Sequence, residues 1–233
     1  REEVLATFAA IERDVADHLQ SFFQAQLPNG SRVPVLYYFW VKQVACPACE
    51  TAVDLFSSRI FAQHAYAKRN PDARATCPHC GEVNRVRFDA TDAHCTGCQK
   101  AFNPSLGAAR GQRATCSCCA HEFGIAKTMR NGEAPPQHRL YAKLVLMPDG
   151  RKEYLRADAY DEVLYEKAEA ELATLDSPYP VVAIEEGYNT NQALNYNYRY
   201  WHQFFNARQL LGLAMLADRI RKINSPSLRD LFT

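Results

Sequence analysis

Four cysteine pairs dominate the first half of the chain: Cys46-Pro-Ala-Cys49, Cys77-Pro-His-Cys80, Cys95-Thr-Gly-Cys98 and Cys116-Ser-Cys-Cys119. A C-x-x-C turn directs two thiolates at one ion, so two turns complete a tetrahedral site and four turns complete two sites. Four thiolates leave no coordination position open for water or substrate, and such sites stabilise a fold rather than catalyse a reaction. The pattern therefore predicts two structural zinc ions.

Disulfides and thioredoxin-like redox pairs are the other uses of paired cysteines. We favour metal because a chain of 233 residues does not need covalent staples, and because cysteines separated by two residues usually bind one ion. Four copies of the motif also argue against a redox role. The sequence opens at Arg1 without a signal peptide, and reduced cysteines are typical of the cytoplasm, so we expect a cytoplasmic location.

The pairing of the four turns is left open by the sequence. In a nested arrangement the second turn shares an ion with the third, and the first with the fourth; in a sequential arrangement the first joins the second and the third joins the fourth. We prefer the nested arrangement because the 14 residues between Cys80 and Cys95 have the length of a compact zinc-ribbon hairpin. Cys118 is then a spare thiol. Three histidines are alternative ligands: His79, His94 and His121.

Helix and strand signals alternate outside the cysteine pairs, which predicts an α+β fold. Apolar residues recur with helical spacing from Glu2 to Leu27, and Val33–Val44 is rich in β-branched and aromatic residues, as strands are. Leu140–Leu155 predicts a β-hairpin around an Asp-Gly turn, and helices are predicted over 159–175 and 200–223. No apolar run approaches 18 residues, so we expect no membrane span.

We divide the chain into three segments. Residues 1–45 hold the N-terminal helix and a lead-in strand, residues 46–130 a double zinc-ribbon module of short β-hairpins, and residues 131–233 the β-hairpin with helices. The boundary lies in the Gly- and Pro-containing segment Met129–Gln137.

Charge is unevenly distributed along the chain. From Arg59 to Arg130 there are 11 Lys and Arg against 5 Asp and Glu, a formal charge of +6, whereas Arg151 to Glu186 holds 4 against 10, a formal charge of −6. Eight thiolates with two zinc ions would add about −4 to the cysteine-rich region and reduce its charge to about +2. The pattern suggests a nucleic-acid surface without establishing one.

Candidate phosphate contacts lie in and around the basic segment Gly107–Arg113, which we predict to be a flexible loop. Solvated surface charge is the alternative interpretation of these side chains. The candidates are Arg85, Arg87, Lys100, Arg110, Arg113, Lys127 and Arg130.

A polar cluster, Asn206-Ala-Arg-Gln209, stands where the last long helix is predicted to begin. Asn206, Arg208 and Gln209 can cap the helix or bind an anion through its free amides. We find no Gly-rich phosphate loop, metalloprotease helix, nucleophile elbow or pair of catalytic carboxylates, and we therefore assign no catalytic residue in this chain.

Several stretches together resemble one family. Phe39-Trp-Val-Lys-Gln-Val-Ala-Cys-Pro-Ala-Cys49, the later cysteine turns, the Tyr141–Tyr154 hairpin and Phe205-Asn-Ala-Arg-Gln-Leu-Leu-Gly-Leu213 resemble the central segment of large bacterial and archaeal adenine-specific DNA methyltransferases. Where that family has Thr-Pro before Arg-Gln-Leu-Leu, this chain has Asn206-Ala207.

The resemblance implies a part of an enzyme rather than a whole one. In that family a glycine-rich S-adenosylmethionine motif precedes this segment and an Asp-Pro-Pro-Tyr motif follows it, and neither motif occurs in these 233 residues. The resemblance thus implies a target-recognition-like segment that engages double-stranded DNA for restriction–modification or phage defence. S-adenosylmethionine would belong to the full-length enzyme, the remainder of the methyltransferase chain would be a partner, and this segment would not be active alone.

Two further functions stay open. The cysteine-rich module could be a structural or protein-interaction zinc ribbon without nucleic-acid binding of its own, or it could bind RNA. Salt-dependent affinity for DNA separates the first from a DNA-binding module, because phosphate contacts release counterions, and a preference for the 2′-hydroxyl identifies the second.

Overall fold

The computed structural model describes residues 1–132, 134–176 and 178–233. The strands in these residues are β1 (Gln24–Gln26), β2 (Arg32–Ala45), β3 (Ala52–Asp54), β4 (Ile60–Gln63), β5 (Asp72–Thr76), β6 (Val83–Arg87), β7 (Ala93–His94), β8 (Ala101–Phe102), β9 (Ala109–Arg110), β10 (Arg113–Thr115), β11 (Glu122–Gly124), β12 (Gln137–Leu146) and β13 (Lys152–Arg156). The helices are α1 (Glu2–Leu19), α2 (Ile125–Arg130), α3 (Ala159–Thr174), α4 (Asn191–Leu194), α5 (Ala207–Arg221) and α6 (Pro226–Arg229), and two 3₁₀ turns cover Gln20–Phe22 and Trp201–Phe204. The named strands of the described residues pair only antiparallel, which confirms the predicted α+β class.

The described residues divide into two compact units. The helical unit comprises Arg1–Pro34, Asp158–Ile184 and Tyr200–Thr233, and the cysteine unit comprises Val35–Ala157 and Glu185–Arg199. Each unit is assembled from segments that are distant in sequence. The predicted boundary at Met129–Gln137 falls partly outside the described residues, since Glu133 is not among them.

The helical unit has a core formed by α3, α5 and the first 3₁₀ turn. Its buried residues are Phe22, Ala168, Leu172, Leu210 and Leu211. Helix α1 lies against α5 where Leu19 approaches Gly212: a Cβ at Gly212 would stand 3.2 Å from the Leu19 side chain. An ion pair between Asp14 and Arg219 at 3.7 Å links the same two helices, which therefore run antiparallel.

The first helix is shorter than the sequence pattern predicts. Helical spacing predicted Glu2–Leu27, whereas α1 ends at Leu19 and β1 pairs with the start of β2, with Ala25 opposite Val33. Ala25 is fully buried in this pair, and Gly30, with φ of 83°, allows the turn that follows. A strand of three residues is too short to show its own period, so the helical pattern concealed it.

Strand β2 is central in the main sheet of the cysteine unit. It pairs with β12 on one side and with β3 on the other, and β12 continues into β13 through the predicted Asp149-Gly150 turn. The ring of Tyr141 meets those of Phe56 and Phe61 edge-on, with centroids 4.9 and 5.3 Å apart. Aromatic residues therefore fill the core beside this sheet.

Each cysteine pair forms the tip of an antiparallel hairpin. The first lies between β2 and β3, the second between β5 and β6, the third between β7 and β8, and the fourth between β10 and β11. Asn197, which is 3% exposed, anchors the separate segment Glu185–Arg199. It donates to the carbonyl of Gly132 at 2.8 Å, and Gly132 lies just after the fourth hairpin and α2 in the chain. The hairpins supply the framework in which the thiols meet.

Candidate metal centres

The four cysteine turns share one backbone geometry. In the first turn, the Cys46 amide donates to the Thr51 carbonyl at 2.9 Å, and the Glu50 amide donates to the Cys46 carbonyl at 2.8 Å. The same two hydrogen bonds recur at the same offsets in the other three turns. The fourth residue after each first cysteine has a left-handed backbone: Glu50 (φ 59°), Gly81 (78°), Gln99 (60°) and Ala120 (58°). Only one of these four positions is a glycine, so the sequence alone does not predict the left-handed backbone.

The turns bring their thiols together in two groups of four. The first group contains Cys46, Cys49, Cys116 and Cys119, and the second contains Cys77, Cys80, Cys95 and Cys98. This is the grouping that the nested arrangement requires, and the sequential grouping is not formed. Within each group the sulfur atoms lie within 4.8 Å of one another.

The sulfur spacing fits tetrahedral coordination. Sγ–Sγ distances are 3.7 Å for Cys46–Cys119 and 3.7 Å for Cys49–Cys116 in the first group. They are 3.8 and 3.5 Å across the second group. A tetrahedron with Zn–S bonds of about 2.3 Å has sulfur atoms about 3.8 Å apart, whereas a disulfide requires about 2.05 Å. Both groups are positioned for metal binding and consistent with structural zinc.

Burial is unequal within each pair. The first cysteine of every turn is at most 2% exposed, whereas the second is partly buried or, at Cys119, exposed. Amides of the turns also point at sulfur: His79 N lies 3.4 Å from Cys77 Sγ, and Cys118 N lies 3.4 Å from Cys116 Sγ. These amides favour the thiolate form that binds metal.

The close approach of the thiols in the first group gives them different pKa values. Hydrogen bonds from Thr51 lower the pKa of Cys49 to about 6. The backbone of His121 favours the Cys119 thiolate, but hydrogen bonding with the neighbouring thiols, that of Cys49 above all, outweighs it and raises the pKa of Cys119 to about 12. Four thiolates at this spacing repel one another, so a divalent cation is the group that allows all of them to ionise.

The second group divides in the same way. Burial opposes ionisation of Cys95, but amides of Cys98 and Gly97 outweigh it and lower the pKa of Cys95 to about 6. At Cys80 an amide hydrogen bond from Glu82 favours the thiolate, yet burial and the neighbouring thiols raise the pKa to about 12.

Asn84 supports the second group, and sequence reasoning missed it. Its side chain is 2% exposed, its Nδ2 lies 3.6 Å from Cys95 Sγ, and its Oδ1 accepts from the Thr96 amide at 2.8 Å. Asn84 therefore holds the third turn and donates to one of its sulfur atoms. Its position on β6, close after the second cysteine pair, carried no signal of this role.

Asp54 joins the first hairpin to the main sheet. Its carboxylate accepts from Arg139 Nε on β12 at 3.0 Å and from Gln43 Nε2 on β2 at 2.8 Å. Burial alone would raise the pKa of Asp54, but the hydrogen bonds from Arg139 and Gln43 outweigh it and hold the pKa below its usual value. This ion pair fixes β3, which follows directly from the first cysteine turn.

Cys118 and the three candidate histidines stay outside the thiol groups. Among the described residues, the clusters with metal-ligand geometry contain cysteines alone, so His79, His94 and His121 are not brought into them. Cys118 is exposed beside the first group without joining it.

The basic candidates fall into two sets. Arg110 and Arg113 are cross-strand partners on β9 and β10, and Arg113 in turn pairs with Gly124, three positions before Lys127. The segment Gly107–Arg113 is thus a hairpin rather than the predicted flexible loop, because Gly111, with φ of 58°, allows a tight turn. Lys127 and Arg130 follow on α2, one helical turn apart. All four side chains are exposed.

The other three basic candidates lie near the second group. Arg85 forms an ion pair with Asp72, and Arg87 forms one with Asp89 at 3.0 Å, whereas Lys100 directly follows the third turn. Arg113 of the first set is also paired, with Glu122. The carboxylates reduce the free positive charge at these arginines.

The Asn206–Gln209 cluster caps α5. Asn206 Oδ1 accepts from the Gln209 amide at 3.1 Å, and Gln209 Oε1 accepts from the Asn206 amide at 3.0 Å, a reciprocal capping box. Arg208 is 3% exposed, donates to the Asp161 carbonyl at 2.6 Å and lies over the Tyr165 ring at 5.4 Å. Its guanidinium therefore joins α5 to α3.

Comparisons of this chain with protein-family models, with curated proteins and with solved structures found no match. Within the described ranges, each helix is too short or too polar to cross a bilayer.

Proposed function

We propose that the cysteine unit is a double zinc-ribbon module that contacts duplex DNA. The observation that carries the proposal is the pair of four-cysteine groups at tetrahedral spacing, each gathered from hairpin tips. Closed sites of this kind serve as scaffolds, and a scaffold of hairpins presents its loops in fixed positions. The function then lies in what the hairpins display.

The hairpin next to the first centre displays positive charge. Arg110 and Arg113 stand opposite each other at its tip, and Lys127 and Arg130 follow on α2, all exposed. Guanidinium and ammonium groups on a rigid turn are suited to phosphate oxygens, which they contact without reading sequence. This set is our first candidate for the DNA contact.

The enzyme context rests on the sequence resemblance. Under it, the chain is the target-recognition-like segment of an S-adenosylmethionine-dependent adenine-N6 DNA methyltransferase, and the rest of that enzyme extrudes and methylates the base. The capping role of Asn206 and Gln209 is compatible with the helix start that the resemblance implies, and it assigns no catalytic group to this chain.

One observation favours a purely structural or protein-interaction module. Arg85, Arg87 and Arg113 are paired with carboxylates, which leaves less free charge for phosphates than the sequence indicates. Such a module would hold the same two ions without affinity for nucleic acid.

Fluorescence anisotropy with a labelled duplex at two salt concentrations separates the two functions. We expect binding that weakens with salt, and we expect Arg110→Ala and Lys127→Ala each to reduce the salt slope by about 1. Arg87→Ala is the matched control, since this arginine is already paired with Asp89. Absence of salt-dependent binding would favour the structural module, and stronger binding to RNA of the same sequence would redirect the proposal to RNA.

A further inference from the structure

The two thiol groups differ in how well solvent reaches their sulfur atoms. Of the eight cysteines in these groups, Cys119 is the one that is exposed, whereas Cys80 and Cys98, which hold the same position in the turns of the second group, are partly buried. Oxidation of cysteine follows thiolate character and exposure. The first group therefore presents one ligand to reagents in solution, and the second group presents none that is equally open.

Two further contacts protect the second group. Asn84 Nδ2 lies 3.6 Å from Cys95 Sγ, and the side chain of Asn84 is itself buried. Arg156 Nη1, which follows from β13, donates to the Cys80 carbonyl at 3.3 Å and ties the second turn to the main sheet. A hydrogen bond to a thiolate stabilises its charge and lowers its nucleophilicity. We therefore expect the second group to react more slowly than the first.

The exposed sulfur atom of Cys119 has a neighbouring sulfur on another turn. Cys119 Sγ lies 3.7 Å from Cys46 Sγ, and the whole group lies within 4.8 Å. Cys46 is 1% exposed, so a reagent that reaches Cys119 does not reach Cys46 directly. Cys46 is thus placed to react with an oxidised Cys119 rather than with the oxidant.

We propose that the first group is an oxidation site, at which a hydroperoxide converts Cys119 and Cys46 into a disulfide and frees the ion, while the second group keeps its ion. The metal site is thereby also a site of covalent modification. The inference concerns the cysteines alone and does not depend on whether the cysteine unit binds DNA.

The reaction has two steps. The sulfur of Cys119 attacks one oxygen of hydrogen peroxide: an S–O bond forms, the O–O bond breaks, and the departing hydroxide takes a proton and becomes water. The sulfur of Cys46 then attacks the sulfenic sulfur: an S–S bond forms, the S–O bond breaks, and a second hydroxide leaves as water. Two thiolates are oxidised by two electrons in total, one peroxide is reduced to two waters, and two protons come from solvent.

The disulfide should preserve the fold while it removes the ion. Two of the four ligands are lost, and two thiolates hold a tetrahedral ion poorly. The new bond joins the first and fourth turns, which are the turns that the ion had linked. Cys49 and Cys116, with Sγ atoms 3.7 Å apart, remain as a second pair.

Peroxide treatment of the zinc-loaded chain tests the proposal. A chromogenic zinc indicator follows release, and mass spectrometry after alkylation and digestion identifies the bridge. We expect one ion to be released roughly tenfold faster than the other, a bridge between Cys46 and Cys119, and an unchanged circular dichroism spectrum. Asn84→Ala should accelerate release of the second ion, because it removes the donor to Cys95 Sγ.

Two substitutions at neighbouring positions assign the reactive sulfur. Cys119→His keeps a metal ligand but removes the oxidisable thiol, so it should bind two ions and release the first roughly tenfold more slowly. Cys118→Ser is the matched control, since this exposed thiol lies outside both groups, and should leave the rate unchanged.

Three results would overturn the proposal. They are release of both ions at one rate, earlier loss from the second group, and a bridge that omits Cys119 or Cys46. Slower release in Cys118→Ser would assign the reaction to Cys118 and would also overturn it.

Discussion

The Sγ atoms of Cys46 and Cys119 lie 3.7 Å apart, although 73 positions separate the two residues in the chain. The second group is enclosed within this span, since its Cys77 and Cys98 are separated by 21 positions. Linking residues far apart in sequence removes more loop entropy from the unfolded chain than a local link does. We call the first group the outer centre and the second group the inner centre. The outer centre should therefore control the fold of the whole cysteine unit.

Replacing one ligand of the outer centre should remove one ion. We expect Cys119→Ser to bind one zinc per chain and to unfold at a lower temperature, because three thiolates hold a tetrahedral ion poorly. Metal analysis with a thermal melt followed by circular dichroism measures both effects. Cys118→Ser is the matched control, one position away and outside both groups, and should keep two ions. Equal effects of the two substitutions would contradict the assignment.

Asn84 should tune the inner centre without being a ligand. Asn84→Ala removes the donor to Cys95 Sγ and the acceptor for Thr96, so we expect zinc affinity of this centre to fall tenfold to a hundredfold. Competition with a chromogenic chelator reports the affinity. Asn103→Ala, which removes a turn hydrogen bond to Ser105 instead, should leave affinity unchanged. An unaffected centre in Asn84→Ala would show that the contact is incidental.

The left-handed positions of the turns predict opposite effects of two substitutions. Gly81→Ala should destabilise the metal-loaded protein by about 1 kcal/mol, because a residue with a Cβ is strained at a φ of 78°. No neighbouring atom lies within 4 Å of the added Cβ, so no new contact offsets this strain. Ala120→Gly, at φ of 58°, should stabilise by a similar amount. Urea denaturation of the zinc-loaded protein measures the pair. Changes of the same sign would refute the shared geometry.

Arg208 should be structural. We expect Arg208→Ala to lower the free energy of unfolding by about 2 kcal/mol, since it removes a buried hydrogen bond to the Asp161 carbonyl and the contact with Tyr165. Chemical denaturation, followed by a signal from the helical unit, measures this free energy. Arg13→Ala, at a highly exposed arginine, is the control and should change little. Unchanged stability in Arg208→Ala would return this residue to the list of candidate functional groups.

The Asp54–Arg139 ion pair predicts a pH dependence. Asp54→Asn should cost about 1 kcal/mol at neutral pH, a value reduced for partial exposure. A carboxyl whose pKa is lowered on folding stabilises the protein above its unfolded pKa of about 3.9 and loses that contribution as pH falls through the folded value. The free energies of unfolding of the wild type and the variant should therefore converge in acid. A difference in free energy of unfolding that stays constant at all pH values would contradict the ion pair.

Cysteine spacing was informative because coordination chemistry is local. Two residues between cysteines already define a turn that points both thiols one way, and the 14 residues between Cys80 and Cys95 favoured the nested grouping that the structure has. Strand β2 and the Asp149-Gly150 hairpin were likewise predictable, because β-branched and aromatic residues and a turn dipeptide are local signals.

Other features depended on contacts that no local pattern encodes. Strand β1 lies in a stretch whose apolar residues have helical spacing, so the sequence pattern did not predict it. Asn84 donates to Cys95 Sγ only because β6 passes beside the third turn. The positive charge of Arg85 and Arg87 was evident in the sequence, whereas Asp72 as the partner of Arg85 depended on the pairing of β5 with β6. Cross-strand neighbours, unlike turns, are set by tertiary structure.

Native mass spectrometry of the chain purified without added metal tests whether the two thiol groups hold metal ions. We expect a mass increase equal to two zinc ions per chain, with loss of the folded charge-state distribution when a strong chelator removes them. A chain that is folded without metal, or whose mass shows disulfides in place of ions, would contradict it.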